Sequence, residues 1–174
     1  KIDLDKFQFR KYLQHDSNLD GIRYQILGIN QDSKGVLWLA AWDNRLLEFN
    51  PETAELIKHN ILPQTNLIIR NVFIDEKDGL WLGTNNSGLI YYDPLTQNTK
   101  SYIHDKSQQF SISSNQVIEI ISEPSGNLWI ATRGGGVNYF NREDEKFFAY
   151  NQNSSNIDNR ISSLFLDELG YLWI

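Results

Sequence analysis

The sequence predicts an all-β chain of β-propeller blades, four-stranded antiparallel sheets repeated about four times in an incomplete ring. Two observations carry the prediction. Four of the five tryptophans stand in one motif: Gly35-Val36-Leu37-Trp38, Gly79-Leu80-Trp81, Gly126-Asn127-Leu128-Trp129 and Gly170-Tyr171-Leu172-Trp173. Their spacings, 43, 48 and 44 residues, fall in the range of repeats that carry four strands each. Aligning the chain on these tryptophans also makes other columns repeat. Twelve residues before stand Ile26, Ile69, Val117 and Ile161; nine before, Ile29, Val72, Ile120 and Leu164; six before, Asp32, Asp75, Glu123 and Asp167. Eleven after stand Phe49, Tyr92 and Phe140, and twenty-one after, His59, Tyr102 and Tyr150.

Taken in order, residues 7–14 read as the last strand of a preceding blade, with Tyr12 in the column of His59. Whole blades follow at 24–59, 67–104 and 116–150, and 160–174 begin the next. The apolar columns ahead of each tryptophan make strand a, expected to be buried on both faces near the propeller axis. The carboxylate and Gly that follow make a tight turn, since Asp bonds its own downstream backbone and Gly supplies positive φ. Leu-Trp and the residues after it make strand b, with the indole packed between blades. Leu46-Leu47-Glu48-Phe49, Leu89-Ile90-Tyr91-Tyr92 and Val137-Asn138-Tyr139-Phe140 make strand c. Asn50-Pro51-Glu52-Thr53, Asp93-Pro94-Leu95-Thr96 and Asn141-Arg142-Glu143-Asp144 turn into strand d at the outer edge. No stretch holds helical periodicity, and strands near five residues between regular turn signals fit an all-β array. Closing a ring takes at least ~4 blades, so further propeller blades or domains of a parent chain are expected partners.

Composition narrows the function. A net charge of −6 and a pI near 5.0 speak against a nucleic-acid partner, which requires a basic face. The absence of cysteine removes disulfides, thiolate metal sites and a cysteine nucleophile, and leaves the compartment open. No run approaches the ~18 apolar residues of a membrane span. No signal peptide is read at the start, which decides nothing for a segment of a longer protein. Phosphate-loop, zinc-protease and serine-hydrolase motifs are lacking. Arg133-Gly134-Gly135-Gly136 joins two strands instead of opening a helix. The acidic column is spread one per blade, which suits turns better than the clustered oxygens of a calcium site. No cofactor, metal or catalytic residue is expected. His59 is expected to pack in the tyrosine column, and His15 and His104 to lie solvated in links between blades.

Asp75-Glu76-Lys77-Asp78-Gly79-Leu80-Trp81-Leu82-Gly83-Thr84, followed by Gly88-Leu89-Ile90-Tyr91-Tyr92-Asp93, resembles the two-component regulator propeller repeat. So does Glu123-Pro124-Ser125-Gly126-Asn127-Leu128-Trp129-Ile130-Ala131-Thr132, with Gly135-Gly136-Val137 after it. The links Tyr102-Ile103-His104-Asp105 and Ser111-Ile112-Ser113-Ser114-Asn115-Gln116-Val117 look like that family's spacer. The first blade departs from the pattern, with Ala40-Ala41-Trp42 for the Gly-Thr pair and Arg45 for the later Gly. The resemblance implies part of the periplasmic sensor region of an inner-membrane hybrid two-component regulator. Such a region detects carbohydrate fragments and signals to a cytoplasmic histidine kinase. None of that kinase's residues has a position here.

Ligand contacts are expected on the rim that bears the b–c turns and d–a links, because rigid scaffolds display function on loops. Trp42 breaks the column occupied elsewhere by Asn85 and Arg133. Its ring could stack on an oligosaccharide, with Asp43, Arg45, Asn85, Asn86 and Arg133 bonding hydroxyls. Two other readings use the same fold. One is a scaffold for protein–protein contact or a homodimer. The other is an enzyme like the streptogramin lyases, which needs histidine and acids gathered on one face.

Overall fold

The computed structural model describes residues 2–3, 8–9, 25–42, 45–61 and 67–174. Three four-stranded antiparallel sheets follow one another along the chain, between two two-stranded ones, and the ring is open. β1 (Ile2–Asp3) pairs with β2 (Gln8–Phe9); the remainder of 7–14, including Tyr12, lies outside the described residues. The first full sheet is β3 (Ile26–Gln31), β4 (Leu37–Ala41), β5 (Arg45–Phe49) and β6 (Leu56–His59). The second is β7 (Ile69–Ile74), β8 (Leu80–Thr84), β9 (Leu89–Asp93) and β10 (Asn98–Tyr102). The third is β11 (Val117–Ser122), β12 (Leu128–Thr132), β13 (Gly136–Asn141) and β14 (Lys146–Tyr150). A single helical turn, α1 (Gln152–Ser155), capped by the Asn151 side chain, leads toward β15 (Phe165–Leu166) and β16 (Leu172–Trp173). Within each sheet neighbouring strands are consecutive in sequence, so every connection inside a blade is a short turn.

Strand a differs from the sequence expectation. Ile69 and Val72 are three residues apart, which in a regular strand would put them on opposite faces. Both instead join the core between the first and second sheets. A bulge explains this. The register slips between Ile69 and Asn71, as it does between Val117 and Glu119 and between Ile26 and Gly28, and one extra residue flips the alternation. The paired columns therefore face one way, onto the preceding blade. Arg70, Asn71, Phe73 and Ile74 are only half-buried, so strand a is not covered on both faces.

Strand b alternates as a strand should. Leu80 and Leu82 pack toward the first sheet, while Trp81 packs toward the third; Leu128, Ile130 and Trp129 repeat the arrangement one blade on. Each interblade indole meets rings from two directions. Trp38 lies against His59 of its own blade (5.0 Å) and Tyr92 of the next (6.5 Å). Trp81 lies against Tyr102 (6.1 Å) and Phe140 (5.6 Å). Each of these two slots is thus walled by the ring twenty-one residues after its tryptophan and by the ring eleven residues after the tryptophan of the next blade. Aromatic pairs of this kind add about 0.5–1.5 kcal/mol beyond simple burial.

Candidate functional site

Two rims follow from the strand order. One carries the a–b and c–d turns, the other the b–c turns and the d–a links. On the first rim three of the four acidic residues of the column, the aspartates, each hold their own turn and their own tryptophan. Asp75 Oδ1 accepts from the backbone N–H of Lys77 (3.0 Å) and Gly79 (2.9 Å), and Oδ2 from the Trp81 indole (3.0 Å). Asp32 does the same for Val36 (2.9 Å) and Trp38 (3.1 Å), and Asp167 for Tyr171 (2.8 Å) and Trp173 (2.8 Å). Glu123, one methylene longer, accepts from Ser125 Oγ, Asn127 Nδ2 and Tyr139 OH instead. Burial would raise its pKa, but these three bonds outweigh burial and hold it below the ordinary value. Among the described residues no three His, Asp or Glu side chains gather in a metal-holding group.

Arg142 adds a clasp at the seam between the second and third blades; in the first and second blades Pro51 and Pro94 occupy its column. Its Nη2 donates to Asp75 Oδ2 (2.7 Å), its Nη1 to Glu76 Oε2 (3.3 Å), and its guanidinium lies 5.2 Å above the Trp81 ring.

The second rim is knitted by backbone. Gly88 N–H donates to Asn115 O (3.0 Å), and Gly134 and Gly136 N–H both donate to Asn159 O (2.7 and 3.3 Å). Asn115 Oδ1 in turn accepts from His104 N–H (2.7 Å), and Asn159 Oδ1 from Gln152 N–H (3.0 Å). Asn138, buried in strand c, clamps Ser113 through both ends of its amide (3.0 and 2.7 Å). The d–a links after the second and third blades are therefore each pinned to the b–c turn of the blade before them.

Here the structure places the candidate ligand residues. Trp42 is exposed, 48 % accessible, with its N–H bonded to Gln25 O (2.9 Å). Arg45 is half-buried at the start of β5, opposite Ala41. Asn85 is half-buried and its Oδ1 accepts from Arg70 Nε (2.9 Å). Asn86 is exposed, beside Ser87. Arg133 is exposed, its carbonyl accepting from Ser114 Oγ (2.9 Å). Asp43 lies outside the described residues. A cleft of about 540 Å³ opens next to Arg133, lined also by Ile118, Arg160, Ile161 and Ser162.

Arg160 was missed in the sequence. Its column otherwise holds Gln25, Ile68 and Gln116, so the single cation there was the signal. The histidines divide. His59 bridges Tyr92 OH (2.9 Å) and Glu48 Oε2 (2.8 Å) within the first interblade seam, a packing position as expected. His104 is half-buried, not solvated, because its Nδ1 donates to Ile112 O (2.7 Å) and folds the link back on itself. His15 lies outside the described residues.

No protein-family model matches the sequence, and no curated protein matches it. Solved structures do. The extracellular domain of the hybrid two component system BT3049 from B. thetaiotaomicron aligns at 25 % identity and TM-score 0.74, over 84 % of this chain and 21 % of that one. The corresponding domain of BT4673 from the same organism aligns at 23 % identity and TM-score 0.67, over 88 % and 22 %. Virginiamycin B lyase from Staphylococcus aureus aligns at 17 % identity and TM-score 0.68, over 85 % and 47 %, a likeness of fold alone. The chain spans about a fifth of the length of the two extracellular domains. The chain is similar to part of the propeller sensor regions of hybrid two-component systems.

Proposed function

We propose that the chain is a run of blades from the periplasmic sensor region of a hybrid two-component regulator, binding a carbohydrate fragment and passing the signal to a cytoplasmic histidine kinase. The observation that carries the reading is the likeness to the BT3049 extracellular domain at 25 % identity and TM-score 0.74. The apolar residues left exposed, Ile26 and Ile29 on the first full sheet and Phe165 and Trp173 on the last pair of strands, are surfaces on which further blades pack. No helix of the described residues is long and apolar enough to cross a membrane, so the signal would leave through other parts of the protein. Ligand acts here by binding one arrangement of the region more tightly than another, because equal affinity for both shifts nothing.

Calorimetry with the full-length protein against a panel of oligosaccharides tests the reading, repeated for any hit with Trp42→Ala and Arg133→Ala. A hit weakened by these changes supports a sugar site on the b–c rim. A hit indifferent to both keeps the sensor and moves the site. Silence across the panel, with a stable homodimer, favours the scaffold.

A further inference from the structure

The rim between the third and fourth blades sets two cations face to face. Arg133 and Arg160 are opposite partners in an isolated antiparallel bridge. Residues so placed project side chains from the same face, with Cβ atoms about 5 Å apart, and like charges there destabilise the pairing. Little in the protein offsets that repulsion. Among the described residues the Arg133 guanidinium has no hydrogen-bond or ion-pair partner. Arg160 Nε stands 4.0 Å from Asp158 Oδ1, with both side chains mostly in solvent. At the second blade, by contrast, Arg70 is answered by the Asn85 amide. In the third blade the Asn85 column holds Arg133 itself and the Arg70 column holds Ile118, so the amide acceptor is gone.

The two arginines border the cleft of about 540 Å³, whose other lining residues are Ile118, Ile161 and Ser162, with no carboxylate among them. In a chain of net charge −6 this is a local excess of positive charge beside an apolar wall and one hydroxyl. Guanidinium groups bind planar or tetrahedral oxyanions through paired N–H donors.

We propose that this cleft is an anion subsite that takes the carboxylate or sulfate of an acidic sugar between Arg133 and Arg160. Ile118 and Ile161 face the C–H side of the sugar ring, and Ser162 reaches a hydroxyl. The proposal rests on the sensor reading and deepens it, by making the ligand an acidic glycan.

The test is calorimetry on the full-length protein with glucuronate, a sulfated glucose and plain glucose, for wild type, Arg133→Gln, Arg160→Gln and Arg133→Lys. Both Gln changes fall on exposed side chains, and an unchanged melting temperature shows that the fold is kept. The expected result is binding of an acidic sugar and not of glucose, weakened roughly tenfold or more by either Gln variant and less by Arg133→Lys. Whichever of glucuronate and the sulfated sugar binds more tightly names the group. Equal binding of acidic and neutral sugars, acidic-sugar binding indifferent to both Gln variants, or no binding of either acidic sugar overturns the proposal. A neutral oligosaccharide that binds elsewhere while the acidic sugars fail leaves the sensor reading standing without this subsite. Silence from these three sugars and from the whole oligosaccharide panel removes both.

Discussion

At Asp75 a single carboxylate, 1 % exposed, answers four donors: two turn amides, the Trp81 indole and Arg142. Asp75→Ala leaves the Gly79 amide and the Trp81 indole unmatched in the core and takes from Arg142 its shorter ion pair, and is expected to lower the unfolding free energy by about 3 kcal/mol, read from urea denaturation. A double-mutant cycle with Arg142→Ala should return a coupling of about 1 kcal/mol; additive losses would mean the clasp does not act through this carboxylate. Tyr102 gives a pH prediction. Burial first, and then the nearby Glu145 carboxylate, raise its phenol well above the ordinary value of 10.0. The unfolded chain therefore releases this proton at lower pH than the folded one. Its stabilising contribution is whole below about pH 10 and is lost as pH climbs from there toward the folded-state pKa. Tyr91, Tyr92 and Tyr139 are shifted the same way, so Tyr102→Phe, which keeps the ring on Trp81, should flatten part of the alkaline fall in melting temperature and leave neutral stability nearly unchanged. The acidic column was legible in the sequence as turn chemistry. Its bond to the indole six residues on was not, because nothing in the spacing tells which side chain a carboxylate's second oxygen will meet once the hairpin closes.

The b–c turn is the element that fastens one blade to the next, and two glycines make it fit. Gly88 has φ +72° and a Cβ there would come within 2.1 Å of Tyr102 O; at Gly136, φ is +74° and the approach 2.2 Å to Tyr150 O. Gly134 shares the left-handed backbone, φ +86°, but faces open space. Gly88→Ala is thus expected to destabilise by about 3 kcal/mol, from backbone strain and displaced strand d together, and Gly134→Ala by about 1 kcal/mol, from strain alone. Thermal melts of the two variants compare them directly, and equal losses would show that the close approach carries no weight. The sequence identified this turn by its glycines, and also the blade where Arg45 replaces one of them. It did not disclose the bulge in strand a, since Ile69 and Val72 read equally well as two faces of a flat strand. Nor did it pair Arg133 with Arg160, which belong to different blades and meet only when the d–a link is drawn back across the preceding turn.

On the scale of the whole chain, the main cores among the described residues lie between sheets that are next to each other in the row, so stability should follow a nearest-neighbour rule. The second sheet has an apolar core on both sides, toward the first and toward the third. The last pair of strands is far less covered, with Trp173 61 % accessible against 3 % for Trp81. Amide exchange is therefore expected to be slowest in Leu80–Thr84 and progressively faster toward Leu172–Trp173, over a range of several kcal/mol. A flat protection profile, measured by mass spectrometry, would mean that the blades open together. The repeat and the four strands of each sheet were readable because the columns recur. Which seam is reinforced was not, because reinforcement lies in the residues that fail to recur.

That irregularity bears on assembly. Blades with near-identical slots can be misassigned, since any Trp-bearing face would accept any aromatic-bearing one, and chains of like repeats are prone to exchange units during folding. Arg142 stands where the other blades carry proline, and it reaches the Asp75–Glu76 pair only from the third position onto the second. It works as a mark on an otherwise uniform series, favouring the turns that offer two adjacent carboxylates, Asp75-Glu76 and Asp167-Glu168, over Asp32-Ser33 and Glu123-Pro124.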